Sequence, residues 1–181
     1  MTQQLVIDHV SKVFGGLKAV ADVTMTIEQG TLIALIGPNG AGKTTLFNML
    51  TGESGPSSGT ITLYTADGPV DITKKKAYQV AKLGVARTFQ NIRLFGAMTV
   101  KENVLVARTH LYRESFIGTM LRLPQFYQQE AAVATAADEL LDFFELADVA
   151  DEPTASLPYG TQRRVEIVRA VATKPQLLFL D

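Results

Sequence analysis

The stretch Gly37-Pro38-Asn39-Gly40-Ala41-Gly42-Lys43-Thr44-Thr45 decides the fold of this chain. It matches the phosphate-loop pattern G-x-x-x-x-G-K-[ST] at every fixed position. Glycines let a backbone curl around an anion without a Cβ clash, and the N-terminus of the following helix attracts negative charge. In such a loop Lys43 reaches the β- and γ-phosphates and the Thr44 hydroxyl binds Mg²⁺. The stretch therefore predicts a nucleotide site, and the alternative is a glycine turn followed by a surface lysine.

The segments on either side of this loop have the expected character. The apolar run at residues 31–36 predicts a buried parallel strand that leads into the loop. Residues 44–50 predict a helix whose apolar face carries Leu46, Met49 and Leu50. A strand, a glycine loop and a helix in this order indicate an α/β fold with a parallel sheet.

Other parts of the chain alternate in the manner of half-buried strands. Residues 5–10, 23–27, 60–64 and 70–72 predict extended segments, with Val23, Met25 and Ile27 on one face and the intervening threonines on the other. Phe14 precedes a glycine pair that could expose its ring, but the local sequence alone favours a core position. A further strand is predicted at residues 85–90.

The second half of the chain is predominantly helical. Thr99 and Glu102 form a potential capping box before a helix at residues 100–107. An apolar stripe predicts a helix at residues 128–146. Another helix at residues 160–173 should place Val165, Val168 and Ala172 inward and Arg163, Arg164 and Glu166 on other sides. Residues 108–127 leave open a loose amphipathic helix or a loop that orders against a partner.

The last residues predict a buried strand, 177–180, that ends in Asp181. An apolar strand followed by Asp is the second signature of phosphate-loop NTPases, in which the carboxylate holds Mg²⁺ directly or through water. Because a phosphate loop precedes this strand, a role of Asp181 in holding Mg²⁺ is favoured over the alternative, in which the aspartate merely ends the strand.

Composition narrows the classes of function. The 181 residues contain no cysteine, which excludes disulfides and thiolate metal sites and is compatible with a cytosolic protein. A net charge of −1 implies no general attraction to nucleic acid. No apolar run approaches the roughly 18 residues of a membrane span, so no direct membrane insertion is expected.

Over its whole length and in the right order, the chain resembles the ATP-binding subunits of ABC transporters. The loop at residues 37–45 has their typical form, and Phe14 falls where the family has an aromatic side chain that stacks on adenine. Gln90 matches the family glutamine that senses Mg²⁺ and the attacking water. Leu157-Pro158-Tyr159-Gly160-Thr161-Gln162-Arg163-Arg164 matches the signature motif, so Gly160 and Gln162 are expected to bind the ATP of an opposite subunit.

This resemblance implies one ABC-type domain over residues 1–181, with a phosphate-loop core, an N-terminal antiparallel β subdomain and a helical subdomain at about 91–165. It assigns catalysis to Lys43, Gln90 and Asp181, and Mg²⁺ binding to Thr44, Gln90 and Asp181. Nucleotide binding extends to the whole loop, namely Gly37, Pro38, Asn39, Gly40, Ala41, Gly42, Lys43, Thr44 and Thr45.

The sequence departs from the family pattern in two ways. Pro158 replaces the usual signature serine, which removes a hydroxyl and a backbone N–H. The family's catalytic glutamate directly follows the aspartate matched by Asp181, and a switch histidine lies beyond it. We therefore expect a truncated domain that lacks its C-terminal part and hydrolyses ATP very slowly, whereas the full-length subunit is an ATPase.

The signature form and the segment after Gln90 resemble the branch that serves importers of branched-chain amino acids. The implied partners are membrane permease subunits and a second ATP-binding subunit, homologous or identical, so that the protein lies on the inner face of the cell membrane. Ile92, Leu94, Phe95 and Met98 are expected to contact the membrane subunits, unless that loop folds back onto the chain's own core. A soluble ABC ATPase and a small-molecule kinase remain alternatives.

Overall fold

The computed structural model describes residues 3–109 and 124–181, with side chains omitted at 124–130. Most of the ambiguous segment at 108–127 therefore lies outside the described residues. The chain divides into two compact units, Met1–Val85 together with Asp181, and Ala86–Leu180. Each unit has its own apolar core.

The first unit is built on a four-stranded antiparallel sheet in the order β2-β1-β3-β4. Its strands are β1 (Gln3–Phe14), β2 (Leu17–Glu28), β3 (Ser58–Thr65) and β4 (Gly68–Asp71). Strand β1 lies centrally, because it pairs with β2 through a tight hairpin and with β3 on its other edge. This is the antiparallel β subdomain that the family resemblance implied.

Alternation along the strands agrees with this sheet. Val23 and Met25 are partly buried and Ile27 is buried, while Thr24 and Thr26 are exposed, which confirms the predicted pattern. Side chains from β1, β3 and two helices, with Ile72 just after β4, form the core of the first unit: Leu5, Ile7, Val10, Leu46, Met49, Leu50, Ile61, Leu63, Ile72 and Val80.

Two helices accompany the sheet in this unit. Helix α1 (Lys43–Leu50) follows the glycine loop, and its predicted apolar face is confirmed because Leu46, Met49 and Leu50 are buried. Helix α2 (Ala77–Lys82) begins directly after the lysine run, with Lys76 at its N-cap.

The predicted parallel strand at residues 31–36 is wrong. These residues form no strand with any described part of the chain, and Leu32 is 98% exposed. An apolar run of this kind is buried only when neighbouring strands accept its backbone hydrogen bonds and helices cover both faces. The apolar composition of residues 31–36 suits such burial, but no described strand pairs with the segment.

Within its described residues, the second unit contains a two-stranded sheet and three α-helices. Strands β5 (Val85–Arg87) and β6 (Leu177–Phe179) pair, and helices α3 (Val100–Arg108), α4 (Pro124–Phe143) and α5 (Tyr159–Ala172) pack together. Both strands are shorter than predicted. The Thr88 N–H still donates to the Phe179 carbonyl, but Leu180 is largely exposed, so the predicted strand 177–180 is buried only at Phe179.

The helices of the second unit share one apolar cluster. Its buried members are Val100, Val104, Ala137, Leu141, Leu146, Leu157, Val165, Val168 and Ala172. The apolar stripes predicted for the last two helices supply five of these side chains, Ala137, Leu141, Val165, Val168 and Ala172, which confirms their inward faces. Among the described residues, no helix has the length and apolar character needed to cross a bilayer.

Helix α3 begins with the predicted capping box. The Thr99 hydroxyl accepts from the Glu102 N–H at 3.1 Å, and the Glu102 carboxylate accepts from the Thr99 N–H at 2.8 Å. Two backbone donors at the helix start are thereby paired.

We expect Thr99→Ala to lower the free energy of unfolding by about 1 kcal/mol, because it removes the hydroxyl that caps α3. Urea denaturation would measure this loss. Thr99→Ser keeps the hydroxyl and serves as the control, so equal stability of the two variants would contradict a role for the cap.

Candidate functional site

The phosphate loop is a tight turn fixed by its own backbone. Gly40 and Gly42 have φ of +82° and +86°, in the left-handed region that favours glycine. The Ala41 N–H donates to the Pro38 carbonyl at 3.2 Å, and the Leu46 N–H donates to the Gly42 carbonyl at 2.8 Å. The loop therefore turns and passes directly into α1.

Gly42 is also fixed by a close approach to β2. A Cβ at this position would lie 2.3 Å from the Ala19 carbonyl oxygen and 3.2 Å from a methyl group of Val20. The Ala19 oxygen belongs to the backbone and cannot turn away as a side chain could. The loop thus needs glycine at residue 42 both for its conformation and for the space it occupies.

Lys43 is the first residue of α1, and its side chain turns back onto the loop. Its Nζ donates to the Gly37 carbonyl at 2.7 Å and to the Pro38 carbonyl at 2.8 Å. The first turn of α1 contains no acidic residue. An ammonium group, left-handed glycines and a helix N-terminus without acidic competition fit an anionic phosphate.

Phe14 is not a core residue, so the preference drawn from its local sequence is wrong. It ends β1 beside the glycine turn and is 52% exposed, with Lys12 Nζ 5.1 Å from its ring centroid. An exposed ring can present a face to a base, and stacking on adenine stays a prediction.

Mg²⁺ is a hard cation that prefers oxygen ligands, so the candidate residues are those with hydroxyl, carboxylate or amide oxygens. Within the part of the chain that the structure describes, no group of three or more His, Asp or Glu residues could bind a metal by itself. Mg²⁺ bound with a nucleotide takes phosphate oxygens, water and few protein ligands. Thr44, in the first turn of α1, and Asp181 carry side-chain oxygens of this kind, and their binding of Mg²⁺ stays a prediction.

In the second unit, the residue before Gln90 is held from helix α5. The Phe89 N–H donates to Glu166 Oε1 at 3.1 Å, and Arg163 donates to the Phe89 carbonyl at 2.5 Å. The same Arg163 nitrogen pairs with Glu166 Oε2 at 2.6 Å. Gln90 itself is exposed.

The position predicted for Glu166 is also wrong. It was expected on a polar side of its helix, yet its side chain is only 2% exposed. Reading the helix by its apolar positions places every carboxylate on the solvent side. The Glu166 carboxylate is instead buried, where it accepts from the Arg163 guanidinium and the Phe89 N–H. The available signal was Arg163, three residues earlier on the same helical face.

The loop after Gln90 is fixed at Phe95. Asn103 Oδ1 accepts from the Phe95 N–H at 2.9 Å, and the Asn103 amide and the Thr154 hydroxyl donate to the Phe95 carbonyl. Leu94 packs against the helical core, but the Phe95 ring is 50% exposed and lies 5.7 Å from the Arg169 guanidinium. Burial lowers the pKa of Arg169, and Glu166 opposes that effect.

The signature motif begins α5. Leu157 is buried, Pro158 occupies the N-cap, and none of the described atoms lies within 4 Å of a Cβ built at Gly160. Gln162 Nε2 donates to the Leu157 carbonyl at 2.9 Å. Gly160 is therefore open to a ligand, whereas the Gln162 amide braces the motif.

Comparison with known proteins agrees with these features. Residues 20–181 match the family described as ABC transporter.

This chain belongs to the ABC transporter family. It is 42% identical over 168 residues to the high-affinity branched-chain amino acid transport ATP-binding protein BraF of Pseudomonas aeruginosa and 41% identical to LivG of Salmonella typhimurium. In both comparisons 93% of this chain aligns with 64% of the relative, so it spans a little under two thirds of their length.

Solved structures agree with the fold. The ATP-binding cassette MJ1267 of an ABC transporter matches with a TM-score of 0.78 at 29% identity, covering 98% of this chain and 68% of that one. The ADP- and phosphate-bound dimer of the cassette MJ0796 matches with a TM-score of 0.76 at 25% identity, covering 98% and 73%. The predicted α/β class, with an antiparallel N-terminal sheet and a parallel sheet, is confirmed.

Gly42→Ala should destabilise the first unit more than Gly40→Ala. Both variants force alanine into the left-handed region at roughly 1–2 kcal/mol. Only the methyl group at 42 meets the Ala19 oxygen, since none of the described atoms lies within 4 Å of a Cβ at 40. Denaturant unfolding of the two variants measures the difference, and equal losses would contradict the close approach.

Proposed function

We propose that this chain is the ATP-binding part of an ABC importer subunit for branched-chain or other hydrophobic amino acids. The observation that carries the proposal is the Lys43 ammonium, which bridges the Gly37 and Pro38 carbonyls inside a loop that requires glycine. That arrangement presents positive charge and backbone donors to the phosphates of ATP. The branched-chain assignment rests on what the relatives BraF and LivG are named for.

In this proposal Mg²⁺ supplies charge neutralisation at the phosphates when it is bound with ATP. Thr44, Gln90 and Asp181 are the residues assigned to it. Phe14 stacks on the adenine, and Gly160 with the start of α5 meets the γ-phosphate of the ATP held by an opposite subunit. Hydrolysis is the activity that we propose for the whole protein.

The proposed partners are a second ATP-binding subunit and membrane permease subunits. The dimer of MJ0796 with ADP and phosphate supports pairing of cassettes of this fold. The names of the relatives support coupling to transport, which would hold the protein on the inner face of the cell membrane. Transfer of phosphate to a small molecule would instead indicate a kinase, and activity independent of any membrane subunit a soluble ABC ATPase.

We expect Lys43→Ala to weaken Mg²⁺–ATP binding by roughly ten- to a hundredfold. The reason is the loss of a charge-assisted contact to the phosphates, worth about 1.5–3 kcal/mol. Isothermal titration calorimetry on the folded chain measures the change.

Lys74→Ala is the matched control, because Lys74 is an exposed lysine of the same unit and lies outside the loop. ATP affinity should stay at the parent value in this variant. If Lys43→Ala binds ATP as well as Lys74→Ala does, the assignment of the phosphate site is lost.

The proposed docking surface is the exposed part of the loop after Gln90. Phe95 and Met98 are exposed while Leu94 turns inward, so the loop divides its apolar side chains between the core and the surface. Hydrogen bonds from Asn103 and Thr154 hold the Phe95 backbone, so the ring is presented from a fixed position. Rigid aromatic anchors of this kind are frequent energetic hot spots.

Phe95→Asp in the full-length subunit should impair assembly with the membrane subunits by about 2 kcal/mol or more, while ATP affinity stays near the parent value. A pull-down with the membrane subunits and an ATP titration on the same variant measure both. Phe143→Asp is the control, since Phe143 is more exposed and lies at the end of α4. Assembly that tolerates Phe95→Asp, or that is lost equally in both variants, would count against docking at this loop.

A further inference from the structure

Helix α5 binds both polar groups of the Phe89 backbone. The Phe89 N–H meets Glu166 Oε1 at 3.1 Å, and the Phe89 carbonyl accepts from Arg163. That carbonyl belongs to the peptide plane whose nitrogen is the Gln90 N–H. Two side chains one helical turn apart therefore fix the plane on which Gln90 begins.

The two side chains also fix each other. Arg163 and Glu166 form an ion pair at 2.6 Å, in which the carboxylate is almost fully buried and the guanidinium is partly exposed. A buried carboxylate is costly unless charge and hydrogen bonds compensate it. Because one oxygen serves Arg163 and the other serves Phe89, movement of the Phe89 backbone would leave that carboxylate undercompensated.

The Phe89 ring is held as well. The guanidinium groups of Arg87 and Arg93 lie 5.2 Å and 4.2 Å from its centroid. Arg87 and Arg93, which flank Gln90 in the sequence, therefore both contact the Phe89 ring, while Gln90 is exposed. The backbone that leads into Gln90 is therefore held in place.

We propose that Arg163 and Glu166 are positioning residues that set the orientation of Gln90 by holding the Phe89–Gln90 peptide. This inference rests on the proposed function, in which Gln90 contributes to the Mg²⁺ site. It adds a role for helix α5, which carries Gly160 in its first turn and the residues that hold Phe89, Arg163 and Glu166, about one turn later. Neither residue needs to touch the nucleotide.

Two measurements on this chain test the proposal. Hydrogen exchange of the Phe89 amide, followed by NMR, measures directly how strongly the hydrogen bond to Glu166 protects that N–H. The gain in ATP affinity on adding Mg²⁺, obtained by calorimetry with Mg²⁺ and with EDTA, reads the action of Gln90. A merely structural role would alter both affinities equally and leave their ratio unchanged.

Glu166→Leu removes both acceptor oxygens and leaves an apolar side chain. We expect Phe89 exchange to accelerate about tenfold or more, as for loss of a hydrogen bond to a charged group, and the Mg²⁺-dependent gain to fall severalfold. Glu166→Gln keeps an acceptor for the Phe89 N–H and should restore much of both readings. Arg163→Gln should reduce the gain, whereas Arg164→Gln, at the exposed neighbour on the same helix, should not.

The double variant with Gln90→Ala decides the mechanism. If Glu166 acts through Gln90, then Glu166→Leu produces no further loss of the Mg²⁺-dependent gain once Gln90 is alanine. Additive losses would overturn the proposal, as would faster Phe89 exchange with an unchanged gain. If Gln90→Ala alone leaves the gain unchanged, the assigned role of Gln90 fails and the positioning role falls with it, whatever the exchange shows.

Should Glu166→Leu fail to fold, the comparison of Arg163→Gln with Arg164→Gln carries the same test. Arg163→Gln removes the contacts of the guanidinium to the Phe89 carbonyl and to Glu166, whereas Arg164→Gln leaves both contacts in place. Equal Mg²⁺-dependent gains in the two would overturn the proposal.

Discussion

The approach of Gly42 to the Ala19 carbonyl is the constraint on which the first unit depends. It joins the phosphate loop to the backbone of β2 at a distance that leaves no room for a side chain. Because Gly42 is also the N-cap of α1, the same contact fixes where that helix starts. The ammonium of Lys43, one residue later, is thereby delivered onto the loop carbonyls rather than into solvent. The left-handed conformation of Gly42 and its lack of a side chain thus set the position of the Lys43 ammonium, the group that we propose binds phosphate.

The second unit depends on a different kind of constraint, a buried charge. Glu166 loses water on entering the helical unit, and Arg163 and the Phe89 N–H replace it. Apolar contacts alone would allow the segment after β5 to slide, because they have little directional preference. A carboxylate with two directed partners does not allow this, so the polar contact gives the segment a defined position.

Much of this structure follows from local sequence pattern. The hairpin strands, the apolar face of α1, the capping box at Thr99 and the inward faces of α4 and α5 all depend on neighbours within a few residues. The phosphate loop could be predicted for the same reason, since its glycines, lysine and threonine are contiguous. Residues 31–36 and Glu166 could not, because the burial of each depends on partners distant in sequence. Periodicity records how hydrophobic a residue is, and it does not record whether a sheet neighbour or a guanidinium is present to receive it.

The loop after Gln90 depends both on its local sequence pattern and on partners distant in sequence. Its apolar density was noticeable in the sequence, and two outcomes were open, a docking surface or a fold back onto the core. The structure combines them, because the Asn103 and Thr154 contacts fix the Phe95 backbone while Leu94 turns inward and the Phe95 ring stays half exposed. Arg169 lies near that ring, on the same helix as the residues that hold Phe89. Helix α5 therefore holds the backbone at Phe89 and lies beside the Phe95 ring, whereas Asn103 of α3 and Thr154 hold the Phe95 backbone, so the two ends of this segment depend on different partners.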